Sequence, residues 1–114
     1  MNIFMWSGPR NLSTALMRSF ENREDTKVWD EPLYAYYLNE TKKDHPMFKE
    51  IIETYEININ KLTKKIVSTN KDEKIFYQKH MSHHILSQTP VNWITKGINV
   101  FLIRDPKDVI LSYI

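Results

Sequence analysis

The sequence predicts an α/β domain in which a parallel β-sheet is flanked by helices. Its apolar runs are short, and helical patterns separate each run from the next, as in βαβ units. The first run, "NIFMW" (2–6), passes through the turn "SGPR" directly into one of those helical patterns.

The elements follow in order. Residues 2–6 form the first strand, and 11–22 form a helix with Leu12, Leu16 and Phe20 spaced by four. "KVWD" (27–30) is a short second strand that ends in "DEP". Pro32 suits the first turn of the helix "PLYAYYL" (32–38). A long amphipathic helix is predicted over 46–67. Phe48, Ile51, Ile52, Tyr55, Ile59, Leu62 and Ile66 share one face, and Lys49, Glu50, Glu53, Lys61 and Lys64 the other. Its mixed charge marks it as a packing helix and not a membrane-surface one. "KIFYQKH" (74–80) and "INVFLIRD" (98–105) are the third and fourth strands, and a last helix starts near Pro106. "KDVILSYI" carries no stop signal, and a parallel sheet normally continues after such a helix. The expectation is a single partial domain over 1–114, a cut-short or split version of a larger one. Its exposed edge would favour self-association or a complementing C-terminal segment.

Composition narrows the function. The 114 residues are 41% hydrophobic and 26% charged, ordinary values for a globular chain with a real core. A formal net charge of +2 argues against bulk binding to nucleic acid or an anionic membrane. Cysteine is absent, which excludes disulfides and thiolate metal sites. The N-terminus has no basic region and soon meets a Gly-Pro turn, unlike a signal peptide. No apolar stretch would span a bilayer. A cytoplasmic protein is expected.

Two segments carry chemistry. In "SGPRNLSTAL", the strand, tight turn and helix start together present unpaired N–H groups and a positive dipole end. Gly8 and Pro9 shape the turn, and Asn11, Ser13 and Thr14 add short polar side chains. Phosphate or sulfate is the natural guest, although the Walker pattern is not met, since a second glycine and the Gly-Lys pair are missing. A plain strand-to-helix turn is the competing reading. In "FLIRDPKDVILSY", Arg104 ends a strand and Ser112 follows eight residues on. Ligands of open parallel sheets gather at the carboxyl ends of the strands, which places Arg104 beside the first loop. An ion pair of Arg104 with Asp105 or Asp108 is the alternative.

With these segments the chain resembles the P-loop sulfotransferases, whose donor is 3′-phosphoadenosine 5′-phosphosulfate (PAPS). "RDPKDVILSY" matches their R-x-x-K-D-V-x-x-S-Y at every position, "PRNLSTA" replaces P-K-S-G-T-T-W, and "QKHM" stands for K-T-H-L. "SGPRNLSTALMRSFENR…VWDEPLYAYYL" is also similar to a bacterial subgroup of the family. The resemblance spans the whole chain but only the N-terminal half of the family domain. It implies a P-loop NTPase-like sheet and a donor site at Ser7, Gly8, Pro9, Arg10, Asn11, Ser13 and Thr14. Arg10 stands at the position of the family's catalytic lysine, where a guanidinium would hold the sulfuryl oxygens. Arg104 and Ser112 would hold the 3′-phosphate. His80 is the leading base for a hydroxyl or amine acceptor, a small molecule or carbohydrate, with Glu31 as the second candidate.

Other readings stay open. His80, His83 and His84 suggest a metal site, but no neighbouring Cys or carboxylate completes it and the family chemistry needs no metal. Tyr34, Tyr36 and Tyr37, with Trp6 and Trp29, are expected to pack. A phosphotransferase would need Mg²⁺, a Walker lysine and an acid such as Asp30. A non-catalytic remnant that binds the sulfonucleotide, or nothing, is the alternative from a different class.

Overall fold

The computed structural model describes residues 1–8, 12–42, 47–68 and 73–113. Four strands, β1 (Asn2–Ser7), β2 (Thr26–Asp30), β3 (Ile75–Met81) and β4 (Ile98–Phe101), form one sheet in the order β2-β3-β1-β4. Every pairing is parallel, with Trp6 opposite His80 and Phe101, and Asp30 and Met5 flanking Lys79. The helices are α1 (Ser13–Glu21), α2 (Tyr34–Thr41), α3 (Phe48–Thr54), α4 (Ile59–Ile66) and α5 (Pro106–Leu111). The predicted class therefore holds as a small α/β domain with a four-stranded parallel sheet and flanking helices. Among the described residues, no helix is long and apolar enough to cross a membrane.

Two expected elements are shorter in the structure. The helix predicted over 46–67 is two helices, because Tyr55 turns extended and Asn58 starts afresh. The Asn58 side chain accepts from the N–H groups of Asn60 and Lys61, the geometry of an N-cap. The fourth strand stops at Phe101 instead of 105, and Asp105 caps α5 by accepting from the Lys107 N–H at 2.9 Å. Pro106 then fills the first helical position.

Alternation along the strands gives the sheet two buried faces. On one, Phe4 and Trp6 pack with Leu33, Tyr36, Leu62, Ile66 and Trp93, beneath α2 and α4. On the other, Met5 and Tyr77 pack with Met17 of α1, and Phe20 stacks on Tyr77. Trp6, Tyr36 and Tyr37 are buried and Trp29 packs against the first cluster, as the sequence led us to expect. Gly97 is required by a close approach: a Cβ there would lie 2.7 Å from Phe4 Cε2 and 2.9 Å from the Asn2 carbonyl oxygen. β4 is an edge strand, and Phe101, at 68% exposure, and Ile103, at 87%, leave an apolar face open beside it.

Candidate active site at the carboxyl edge of the sheet

Because all four strands run the same way, their carboxyl ends collect at one edge. Ser7 and Gly8 leave β1 there, Asp30 and Glu31 leave β2, and the chain after β4 runs toward Arg104. The Leu102 N–H donates to the Trp6 carbonyl, which keeps that last segment alongside β1.

The first loop is bounded by Gly8 and Leu12; Pro9, Arg10 and Asn11 lie outside the described residues. Ser7 is buried, and its hydroxyl donates to Met81 Sδ at 3.6 Å. A Cβ on Gly8 would meet nothing within 4 Å, so crowding does not require glycine there. α1 begins at Ser13, which is buried, with Leu12 at its N-cap and no side-chain cap. Leucine has no polar side-chain atom to accept from the first N–H groups of the helix, as a capping residue usually does.

Thr14, in the first turn of α1, touches a residue the sequence reading passed over. Lys79 donates from Nζ to Thr14 Oγ1 at 3.1 Å and lies 3.3 Å from Asp30 Oδ1. It is only 6% exposed. The available signal was a lysine inside the otherwise uncharged run "IFYQ-HM", since a lysine is almost never fully buried without a partner.

Glu31 and His80 occupy different surroundings. Glu31 has φ +49, a left-handed conformation that side chains other than glycine seldom adopt. Its N–H donates to the Lys79 carbonyl at 2.8 Å, and its own carbonyl accepts from the Tyr34 N–H at 3.1 Å. Burial pushes the Glu31 carboxyl above the usual carboxylate range, and the Lys79 charge works against that shift. Glu31 lines a cleft of about 880 Å³ between the end of β2 and helices α2, α3 and α4, together with Trp29, Tyr34, Ile51 and Tyr55. His80 is 1% exposed and outside that lining. It shares a 3.0 Å hydrogen bond between Nε2 and Gln78 Oε1 and stacks on Trp6 with centroids 4.9 Å apart. Burial first, and His84 second, push its pKa down to about 3. His84 is also buried, lies tilted against Tyr37 with ring centroids 4.9 Å apart, and is pushed down to about 3, chiefly by burial. Among the described residues there is no cluster of three or more His, Asp or Glu side chains placed to hold a metal ion.

Arg104 is half-buried between β4 and α5. Ser112, at the end of α5, donates its hydroxyl to the Val109 carbonyl at 2.6 Å. The edge thus gathers Ser7, Gly8, Thr14, Glu31 and Lys79, with Arg104 on the segment leaving the same edge. His80 projects into the packed core, and Ser112 bonds its own helix.

In a parallel α/β sheet ligands gather outside the carboxyl ends of the strands, and here that edge carries polar and charged groups. The family model described as "Sulfotransferase domain" matches residues 1–114, and the chain belongs to that family. Among curated proteins it is 40% identical over 111 residues to "Branched-chain-amino-acid aminotransferase-like protein 1" of Arabidopsis thaliana. It is 38% identical over the same length to "Branched-chain-amino-acid aminotransferase-like protein 2" of that plant. Each match covers 97% of this chain and 20% of the relative, so the chain spans about a fifth of the length of either protein. No solved structure matches.

Proposed function

We propose that the chain carries the donor site of a sulfotransferase that moves a sulfuryl group from PAPS to a hydroxyl or amine acceptor. The observation that carries this reading is the meeting of an α1 start with Leu12 at its N-cap, a buried cation on Thr14 and the Arg104 segment at one sheet edge, in a chain of the sulfotransferase family. PAPS supplies an activated sulfuryl group whose bond to the bridging phosphate oxygen breaks as the bond to the acceptor forms. The α1 N–H groups and Arg10 hold the 5′-phosphosulfate, with Ser7, Gly8, Pro9, Asn11, Ser13 and Thr14 shaping the loop around it. Arg104 holds the 3′-phosphate, and Ser112 joins it by releasing Val109. The chemistry calls on no metal.

The cleft beside Glu31 is where the acceptor sits, and Glu31 takes the acceptor proton as the new bond forms. Its raised pKa and its place in the cleft wall favour it over His80, whose ring is buried and held neutral. His80 as base requires the Trp6 and Gln78 contacts to open. A phosphotransferase is disfavoured because the strand "KVWD" that would carry its acid, Asp30, is short and the first loop has no Walker lysine. The apolar face at β4 and α5 favours a second reading, donor binding without turnover until a second copy or a complementing segment covers that face.

Thermal melts with 3′,5′-adenosine bisphosphate, the desulfated product, test the donor site. Saturation at a hundred times the dissociation constant adds about 2.7 kcal/mol of stability. The bisphosphate raises the Tm, AMP does not, and Arg104→Ala abolishes the shift. A melt indifferent to the bisphosphate contradicts the reading.

A further inference from the structure

Lys79 stands where folding stability alone would not put a lysine. Its ammonium is buried against the first turn of α1, the positive end of the helix dipole, where a cation is repelled and an anion stabilised. Burying an ammonium costs several kcal/mol unless it is well paired. The carboxylate it pairs with, Asp30, is at 3.3 Å with its side chain 43% exposed to water, and the Glu31 carboxyl also feels its charge. Thr14 Oγ1 offers a neutral acceptor. Strand alternation separates this site from the aromatic core: Gln78 and His80 face Ile66 and Trp6, and Lys79 faces the α1 side of the sheet.

We infer that Lys79 is a donor-binding residue, supplying from β3 the ammonium that the first loop lacks, with Asp30 as its resting counter-ion. The inference rests on the sulfonucleotide reading. The 5′-phosphosulfate, seated at the α1 N-terminus, takes the ammonium as a direct partner, and Asp30 becomes its competitor. Thr14 holds the ammonium at the helix turn in both arrangements. No bond is made or broken by Lys79; its charge offsets negative charge on the phosphosulfate oxygens.

The two partners predict opposite effects, which a merely structural ion pair would not produce. Calorimetric titrations would use 3′,5′-adenosine bisphosphate and, as a probe without the 5′-phosphate, 3′-AMP. Lys79→Met weakens the bisphosphate about tenfold to a hundredfold, the worth of a charged hydrogen bond, and leaves 3′-AMP unchanged. Asp30→Asn tightens the bisphosphate several-fold. Equal bisphosphate affinity in wild type and Lys79→Met overturns the inference while the donor site stands. Should Lys79→Met fail to fold, Asp30→Asn decides: unchanged or weaker bisphosphate binding overturns the inference. A wild-type chain that binds neither nucleotide removes the donor site, and this role for Lys79 with it.

Discussion

His80 and His84 make the fold acid-sensitive through two buried rings. Both are neutral in the folded chain, with pKa pushed down to about 3, whereas the unfolded chain protonates its histidines near the ordinary value of about 6.5. The unfolded state therefore binds more protons below about pH 6.5, and stability falls as pH falls through that window toward about 3. Melts taken from pH 7.5 to 4.5 should show a declining Tm and net proton uptake on unfolding; a flat profile would contradict the burial of these rings. Glu31 stores strain of another kind. Its positive φ costs about 1 kcal/mol relative to glycine. Glu31→Gly should accordingly raise urea resistance by up to about 1 kcal/mol while removing the carboxyl from the cleft. A destabilised Glu31→Gly protein would mean that the side chain holds the β2–α2 turn together.

Helices α3 and α4 show where sequence periodicity stops being informative. Apolar residues at 3.6-residue spacing run from Phe48 to Ile66, and nothing in that pattern marks a break. The break comes from local competition, in which Asn58 caps α4 and the Glu56 carboxylate accepts from the N–H groups of Ile57 and Asn58. Asn58→Ala should cost about 1 kcal/mol in chemical denaturation, with a stability unchanged by the substitution counting against the cap. The strands were easier to read, since β1, β2 and β3 lie within a residue of the apolar runs that announce them. β4 is shorter than its run because Asp105 and Pro106 start α5; of the apolar residues between, Leu102 packs against the Met5–Met17–Tyr77 cluster and Ile103 goes uncovered. At the site, the turn behind β1 and Glu31 after "VWD" were legible as motif positions. Lys79 was not, because its meaning depends on Thr14 and Asp30, which are distant in sequence and adjacent only across the sheet.

At the scale of the molecule, a packed interior stands beside an exposed apolar face among the described residues. Both faces of the sheet are packed at β1 and β3, whereas β4 and α5 expose Val100, Phe101, Ile103, Ile110 and Leu111. Edge strands with open apolar surface associate, so sedimentation velocity should show concentration-dependent self-association that Phe101→Lys with Ile103→Lys reduces. A monomer at all concentrations would leave that face solvated. The donor site, at the carboxyl edge, is the central claim, and its most direct test maps ligand contact residue by residue. Titrating ¹⁵N-labelled protein with 3′,5′-adenosine bisphosphate should shift the amide signals of Ser7, Gly8, Ser13, Thr14, Lys79 and Arg104 and leave those of α4 in place. Unmoved spectra, or shifts gathered away from that edge, would contradict the account.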